Sequence, residues 1–322
     1  MISDEQLSTI ESLVLQGVPL ADVKKLYTRT LRTDSHTLND MWQAYANIEH
    51  RKKYETPFVL SQLPCRKDEC ALLDMCLGSG SSVIALKQAG IQHVFGNEVD
   101  MSFVNVATKN IGANNLQFRF VGDMLGGTIP SNNYEDHFGT GKGIGIVVAD
   151  WLELKEKEVY QSNSFDVITC LGNSLTYLFR KKDRERTLRS FYQILKPGGV
   201  LLIDQRNYDA IIENMFTPVG KEYDYSELCP TFPYTSQTAV QLHLELAKGS
   251  HKYDLVLHPF IGDDLACEIA TSGFTITDIF HDFNKKTAKG LAEYRKSKAD
   301  TENYRNYPVE FIQYVARKPL FG

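Results

Sequence analysis

The sequence predicts an α/β fold in which a parallel sheet is wrapped by helices, preceded by a helical segment and followed by an antiparallel subdomain. Three observations predict it. Short apolar runs at 71–76, 94–99, 144–149, 165–171 and 200–204 alternate with amphipathic stretches, the strand–helix–strand pattern of βαβ units. Before residue 70 the apolar residues recur at helical spacing. Beyond residue 207 the period shortens to two, as in Leu242, Leu244 and Leu246. Blocks 1–69, 70–206 and 207–322 follow as a helical cap, a core and a lid whose antiparallel strands complete the sheet.

In the first block three helices are expected, on Leu7, Ile10 and Val14, on Leu20, Val23 and Tyr27, and on Leu38, Met41, Tyr45 and Ile48. Asp4 and Ser35 are capping residues for the first and third. In the core, helices are expected over 82–88, 102–110 and 183–195, the last with Leu188, Phe191, Tyr192 and Leu195 on one face. Lys196-Pro197-Gly198-Gly199 reads as a helix stop before the next strand. Residues 118–121 fit either a short strand or the end of a helix, and 122–143, with six glycines, reads as a long loop. In the lid, 238–258 reads as a β-hairpin around Lys248-Gly249-Ser250. A helix over 263–271 stopping at Gly273 and strands near 275–281 and 309–316 complete the expected elements.

Composition narrows the function. The 322 residues carry 35 Lys and Arg against 40 Asp and Glu, a net charge of −5, which argues against a dedicated nucleic-acid binder. Mean hydropathy is −0.28, and no apolar run approaches the ~18 residues of a membrane helix. The six cysteines form no Cys-x-x-Cys pair and the eight histidines no zinc spacing. The opening MISDEQLSTI lacks the basic start and apolar core of a signal peptide. A reduced, metal-free, cytoplasmic protein without membrane partners is expected.

The sharpest motif is Asp74-Met75-Cys76-Leu77-Gly78-Ser79-Gly80-Ser81, between a strand and an amphipathic helix. Glycines at such a turn let backbone approach a ligand, and the helix start presents unpaired N–H groups. With Gly78 and Gly80 alone, it is not the G-x-G-x-x-G dinucleotide fingerprint. Glu98 ends the second strand twenty residues after Gly78, where a carboxylate can accept both ribose hydroxyls of an adenosine; its alternative is a solvated surface carboxylate. A third strand ends in Ala149-Asp150-Trp151, where Asp150 can accept from an adenine amino group. Trp151 can wall the ring or pack in the core. The fourth ends in Cys170-Leu171-Gly172-Asn173-Ser174. All four lie at the carboxyl ends of strands, where open α/β sheets bind ligands.

These residues resemble class I S-adenosylmethionine-dependent methyltransferases. Cys170 to Leu178, together with Leu195-Lys-Pro-Gly-Gly-Val-Leu-Leu-Ile-Asp-Gln-Arg-Asn-Tyr-Asp209, is similar to the glycine N-methyltransferase and glycine/sarcosine N-methyltransferase family. The tail agrees, with Tyr253–Pro259, Gly273-Phe274, His281-Asp-Phe283 and Phe311-Ile312, so the resemblance covers roughly 38–318. It implies a Rossmann-like sheet, a small antiparallel lid, S-adenosylmethionine as cofactor with S-adenosylhomocysteine as product, and a small-molecule amine as acceptor. A homo-oligomer is compatible with it. On the cofactor side it implicates Asp74, Cys76, Gly78, Gly80, Glu98, Asp150, Trp151 and Leu171, with Trp42 and with Arg51 near the methionyl carboxylate.

On the substrate side, Gln205-Arg206-Asn207-Tyr208-Asp209 leaves a buried strand toward the same cleft. Arg206 can hold a carboxylate with its planar fork, and the resemblance assigns it that role; the alternative is a structural salt bridge. Asn173 can orient the amine, and the resemblance places Tyr45 over the substrate. Tyr208 and Tyr223 are further candidates for closing the pocket. One departure concerns Tyr177, which stands where glycine-acting members carry histidine in Gly-Asn-Ser-Phe-x-His-Leu. Its larger phenol changes pocket shape and hydrogen bonding, so glycine is expected to be a poor acceptor and a different amine to be preferred.

The reading is an N-methyltransferase for a small carboxylated amine. Its alternatives are a methyltransferase for another amine or imidazole, without a carboxylate clamp, and a non-catalytic S-adenosylmethionine-binding protein. In-line methyl transfer needs no protein nucleophile, so catalysis rests on positioning, and the sequence singles out no general base.

Overall fold

The computed structural model describes residues 4–28, 47–121, 143–213, 228–246, 252–283, 285–299 and 309–320. Two short helices, α1 (Asp4–Leu15) and α2 (Leu20–Thr28), open the chain, with α1 beginning at Asp4. The third expected helix lies outside the described residues up to Ile48. From there an α-turn (Ile48–His50), a π-helical turn (Arg51–Glu55) and an α-helix (Thr56–Ser61) run on as α3.

The core strands are β1 (Ala71–Asp74), β2 (His93–Glu98), β3 (Gln117–Phe120), β4 (Gly143–Val148), β5 (Phe165–Cys170) and β6 (Leu195–Arg206). Helices α4 (Ser81–Gln88), α5 (Met101–Ala113) and α6 (Lys181–Ile194) connect them. After α7 (Tyr208–Ile212) come β7 (Leu228–Thr235), β8 (Val240–Leu246), β9 (Lys252–Leu257), α8 (Asp264–Thr271), β10 (Thr275–His281), β11 (Lys285–Ala288), α9 (Gly290–Ala299) and β12 (Phe311–Arg317). The main sheet has the order β11-β10-β12-β6-β5-β1-β2-β4-β3. β1 pairs in parallel with both β2 and β5, so the order reverses at β1, and a crevice opens at its carboxyl end.

Alternation along the strands divides the core between two faces. Leu72, Val200 and Leu202 join Val83, Ile84, Val104 and Ala107 of α4 and α5. Leu73, Leu201 and Ile203 join Leu188, Phe191, Leu265 and Ile269 of α6 and α8. β12 and β10 extend the sheet antiparallel to β6, while β7-β8-β9 form a separate antiparallel sheet. Its Tyr234 hydroxyl and Ser236 Oγ donate to Asp22 of α2, at 2.7 and 3.1 Å. Among the described residues no helix is long and apolar enough to cross a membrane.

Three local readings need correction or completion. Residues 117–120 form an edge strand parallel to β4, rather than a helix end. The Lys-Pro-Gly-Gly stop falls inside β6, which starts at Leu195. A register shift between Phe165 and Val167 absorbs the turn, and Lys196 Nζ is held at 2.9 Å from both Asp166 oxygens. The hairpin has a third partner, β7, and β11 and α9 add to the expected elements; these short segments of mixed polarity carry little periodic signal.

Candidate active site

At the carboxyl ends of β1, β2, β4 and β5 lies a cavity of about 380 Å³. The β1 turn forms its floor. Gly78 has φ +48° and Gly80 φ +83°, conformations that side chains other than glycine rarely adopt. A Cβ on Gly80 would also sit 3.2 Å from the Ala107 Cβ, so α5 packs directly on the turn. At Gly78 the nearest atom to such a Cβ is the Cys76 carbonyl oxygen at 3.7 Å, so this backbone edge is open. Gly80 caps α4, and Ser79, Ser81 and Ser82 line the cavity beside it.

Glu98 ties the β2 end to this turn. Its Oε2 accepts from Gly78 N–H at 3.1 Å, and its Oε1 accepts from Val99 and Asp100 N–H at 2.9 and 3.1 Å. Burial pushes its carboxyl above the usual carboxylate range, while the three N–H donors hold the rise down. Asp150 caps the short turn after β4, accepting from Leu152 N–H at 2.8 Å. The Trp151 indole donates to Met75 C=O at 3.0 Å and meets the Phe191 ring edge to face at 5.9 Å. It therefore both packs in the core and lines the cavity. Cys76 and Leu171 are also on the wall; Cys76 Sγ is 3.7 Å from Cys170 Sγ, and burial holds its thiol protonated.

Arg51 reaches the cavity from the π-helical turn and pairs with Glu55. A Cβ on Gly172 would lie 3.5 Å from Arg51 Nη2, so the guanidinium stands against the turn after β5. Glu55, Asp74 and Asp204 are all buried near this cation. Asp74 Oδ1 accepts from Cys76 N–H and Thr169 Oγ1, at 3.2 and 3.1 Å. Asp204 accepts from Gly172 and Asn173 N–H, at 3.1 and 2.6 Å. Burial raises Asp74 to about 7 and Asp204 to about 6, with Glu55 adding repulsion in each case.

Several expectations shift. Asp74 and Gly80 are not on the cavity wall: Asp74 is a buried brace under the turn, and Gly80 faces α5. Asn173, at φ +65°, turns its side chain inward, its Oδ1 accepting from Arg206 N–H at 3.0 Å and its Nδ2 donating to the Tyr208 hydroxyl at 2.8 Å. Its neighbours Gly172 and Ser174 line the cavity instead. Arg206, 1% exposed, lies behind that wall with its Nη1 2.7 Å from Glu310 Oε1, so in this structure the salt-bridge alternative is the one realised. Tyr177, 37% exposed, lines the cavity, joined by Leu255 from β9. Trp42, Tyr45 and Tyr223 lie outside the described residues.

Sequence reasoning missed Glu55 and Asp204, and also Glu310 and the Arg184–Glu268 pair, whose charged partners are distant in the chain. Among the described residues, Cys65, Cys70 and Asp166 form one group with metal-like spacing. It sits at the amino ends of β1 and β5, and Asp166 is already engaged by Lys196 and by Ala71 N–H.

The lining suits an adenosyl sulfonium amino acid. An open glycine edge, carboxylates at the end of β2 and just after β4, an indole and a guanidinium match its ribose, adenine and carboxylate. Residues 73–203 match the family described as Methyltransferase domain. The chain is 28% identical over 245 residues to a glycine/sarcosine N-methyltransferase of Halorhodospira halochloris, covering 76% of this chain and 80% of that one. It is 26% identical over 246 residues to a glycine/sarcosine/dimethylglycine N-methyltransferase of Actinopolyspora halophila, covering 76% of this chain but 38% of that longer relative. An S-adenosylmethionine-dependent methyltransferase from Clostridium acetobutylicum shares the fold, with TM-score 0.56 and 12% identity over 88% of this chain and 98% of that one. Fold and site thus define a class I S-adenosylmethionine-dependent methyltransferase. The chain is such an enzyme, with S-adenosylmethionine as its cofactor, and within the class it resembles the glycine/sarcosine N-methyltransferases.

Two predictions arise here. Glu98→Ala is expected to weaken S-adenosylhomocysteine binding by about 1.5–3 kcal/mol, the worth of hydrogen bonds to a charged group. Calorimetry giving an unchanged affinity would leave Glu98 as a brace for Gly78 alone.

The second concerns Asp74→Asn and pH. Asp74 moves from an ordinary value of 3.8 to about 7 in the folded chain, so the folded state holds the extra proton between these values. Its contribution to stability is full below pH 3.8 and is lost as pH rises through 7. Buried His50 and His258, lowered from 6.5 to about 4, act in the opposite sense over pH 4 to 6.5. The difference between variant and wild type isolates the aspartate. Relative to wild type, Asp74→Asn is expected to gain stability from pH 4 to 7, at no more than about 1.4 kcal/mol per pH unit. Parallel denaturation curves across that range would refute the buried-proton assignment.

Proposed function

We propose that the enzyme transfers the sulfonium methyl group to the nitrogen of a small carboxylated amine of the amino-acid class. When bound, S-adenosylmethionine supplies an electrophilic methyl group. The observation that carries the reading is the Gly172-Asn173-Ser174 turn. Its outer residues wall the cofactor cavity, and its middle residue bonds to the Arg206 backbone and the Tyr208 hydroxyl. An amine held against this turn would be near the cofactor, with Arg206 behind it to receive a carboxylate. The names of the relatives support an amino-acid nitrogen as acceptor.

The work of these residues is positioning. Asp204 fixes the turn through two N–H bonds, Arg51 brings a positive charge to the cavity, and Tyr177 and Leu255 add to its lining. Holding an unprotonated amine in line supplies the acceleration without a protein nucleophile.

A second reading, an acceptor without a carboxylate, is favoured by the Arg206–Glu310 ion pair. The test is conversion of S-adenosylmethionine to S-adenosylhomocysteine across glycine, sarcosine, bulkier amino acids, methylamine, dimethylamine and imidazoles. Because the Tyr177 phenol changes the shape and the hydrogen bonding of the wall, glycine is expected to rank below another carboxylated amine. Glycine ranking first would reject that role for Tyr177, and uncharged or cationic amines ranking first would select the second reading.

A further inference from the structure

Arg206 and Glu310 meet across two antiparallel neighbours, β6 and the residue leading into β12, with Nη1 to Oε1 at 2.7 Å. The guanidinium carbon lies 4.6 Å from the Phe311 ring centroid and 5.8 Å from that of Phe232. A cation desolvated this far requires a counter-charge, and Glu310 supplies it. The Glu310 backbone is pinned, its N–H donating to Asp282 Oδ1 at 3.1 Å and its C=O accepting from Asn207 N–H at 2.9 Å. Only its side chain can move without disturbing the sheet.

We propose that Glu310 is a specificity-determining residue whose carboxylate occupies Arg206 in place of the acceptor's carboxylate, so that a carboxylated acceptor binds by displacing it. This rests on the reading that Arg206 receives the acceptor's carboxylate. Two carboxylates on one buried guanidinium leave a net negative charge in low dielectric, which is costly. The incoming acid therefore gains only the difference between its own bond to Arg206 and the bond that Glu310 gives up. An amine without a carboxylate leaves the pair intact and is indifferent to it.

The experiment compares wild type, Glu310→Gln and Glu310→Asp, with glycine and sarcosine set against their decarboxylated counterparts methylamine and dimethylamine. Glu310→Gln keeps the shape and removes the competing charge. It is expected to lower KM for the acids roughly tenfold or more, as for close buried charge pairs, and to leave KM for the amines unchanged. Its melting temperature, depressed by the unbalanced guanidinium, is expected to recover with sodium acetate more than that of wild type does. This binding readout needs no turnover.

Should Glu310→Gln not fold, Glu310→Asp, with its shorter reach, is expected to lower the KM for the acids in the same direction. Equal changes in KM for acids and amines, or no extra response to acetate, would overturn the proposal. Arg206→Lys separates the two failures. If it penalises the acids while Glu310→Gln does not help them, the clamp stands and Glu310 is structural. If it is silent on the acids, the clamp itself is absent and the Glu310 proposal falls with it.

Discussion

Arg184→Ala is expected to lower the unfolding free energy by about 3–5 kcal/mol, the cost of stripping one partner from a buried ion pair. Arg184 Nε and Nη2 donate to Glu268 Oε2 and Oε1 at 2.9 and 2.8 Å, a two-pronged pair between α6 and α8. Its Nη1 also donates to the carbonyls of Leu178 and Phe179, at 2.9 and 2.8 Å. The guanidinium carbon lies 5.2 Å from the Phe260 ring centroid. The truncation strands a buried carboxylate and two carbonyls, and it releases the segment that follows Tyr177 at the cavity wall. Turnover should therefore fall along with stability, and S-adenosylhomocysteine should restore only part of the lost stability. Replacing both charges, in Arg184→Met with Glu268→Leu, should recover much of the loss, because no charge is then left buried alone. Denaturant unfolding reads both effects. A single-variant loss below about 1 kcal/mol would mean that the pair counts no more than an exposed one.

Arg206→Lys is expected to lower kcat/KM for carboxylated acceptors by roughly 10- to 150-fold, the equivalent of losing about 1.5–3 kcal/mol of charge-assisted hydrogen bonding. Lysine keeps the charge that Glu310 needs but loses the fork that meets a carboxylate with two parallel bonds. Cofactor affinity should stay nearly constant, since Arg206 does not line the cofactor cavity. Decarboxylated amines should react with wild type and variant alike. Kinetics on matched acid and amine pairs decide the matter. Normal turnover of the acids by the variant would transfer the functional reading to an acceptor without a carboxylate.

What the sequence by itself determined are the features written in short stretches of chain. The alternation of apolar runs with amphipathic segments located β1, β2, β4 and β5 to within a residue or two, because strand and helix periods are local properties. The Gly78–Gly80 turn, Glu98 and the Asp150-Trp151 step were legible for the same reason. Each ends a strand, and in a sheet whose order reverses at β1 those ends converge on one crevice. The tertiary structure decided which charges meet. Arg206 carried the fork of a carboxylate clamp in sequence, but Glu310, 104 residues away, reaches it only because β12 lies antiparallel beside β6. Asp74 looked like a cofactor ligand in its motif. The parallel pairing of β1 with β5 instead sets it opposite Thr169, on the same sheet face as Asp204, where burial lifts both carboxyls. No periodicity or spacing encodes such pairs, since their energy depends on desolvation and on partners brought together by the order of the strands.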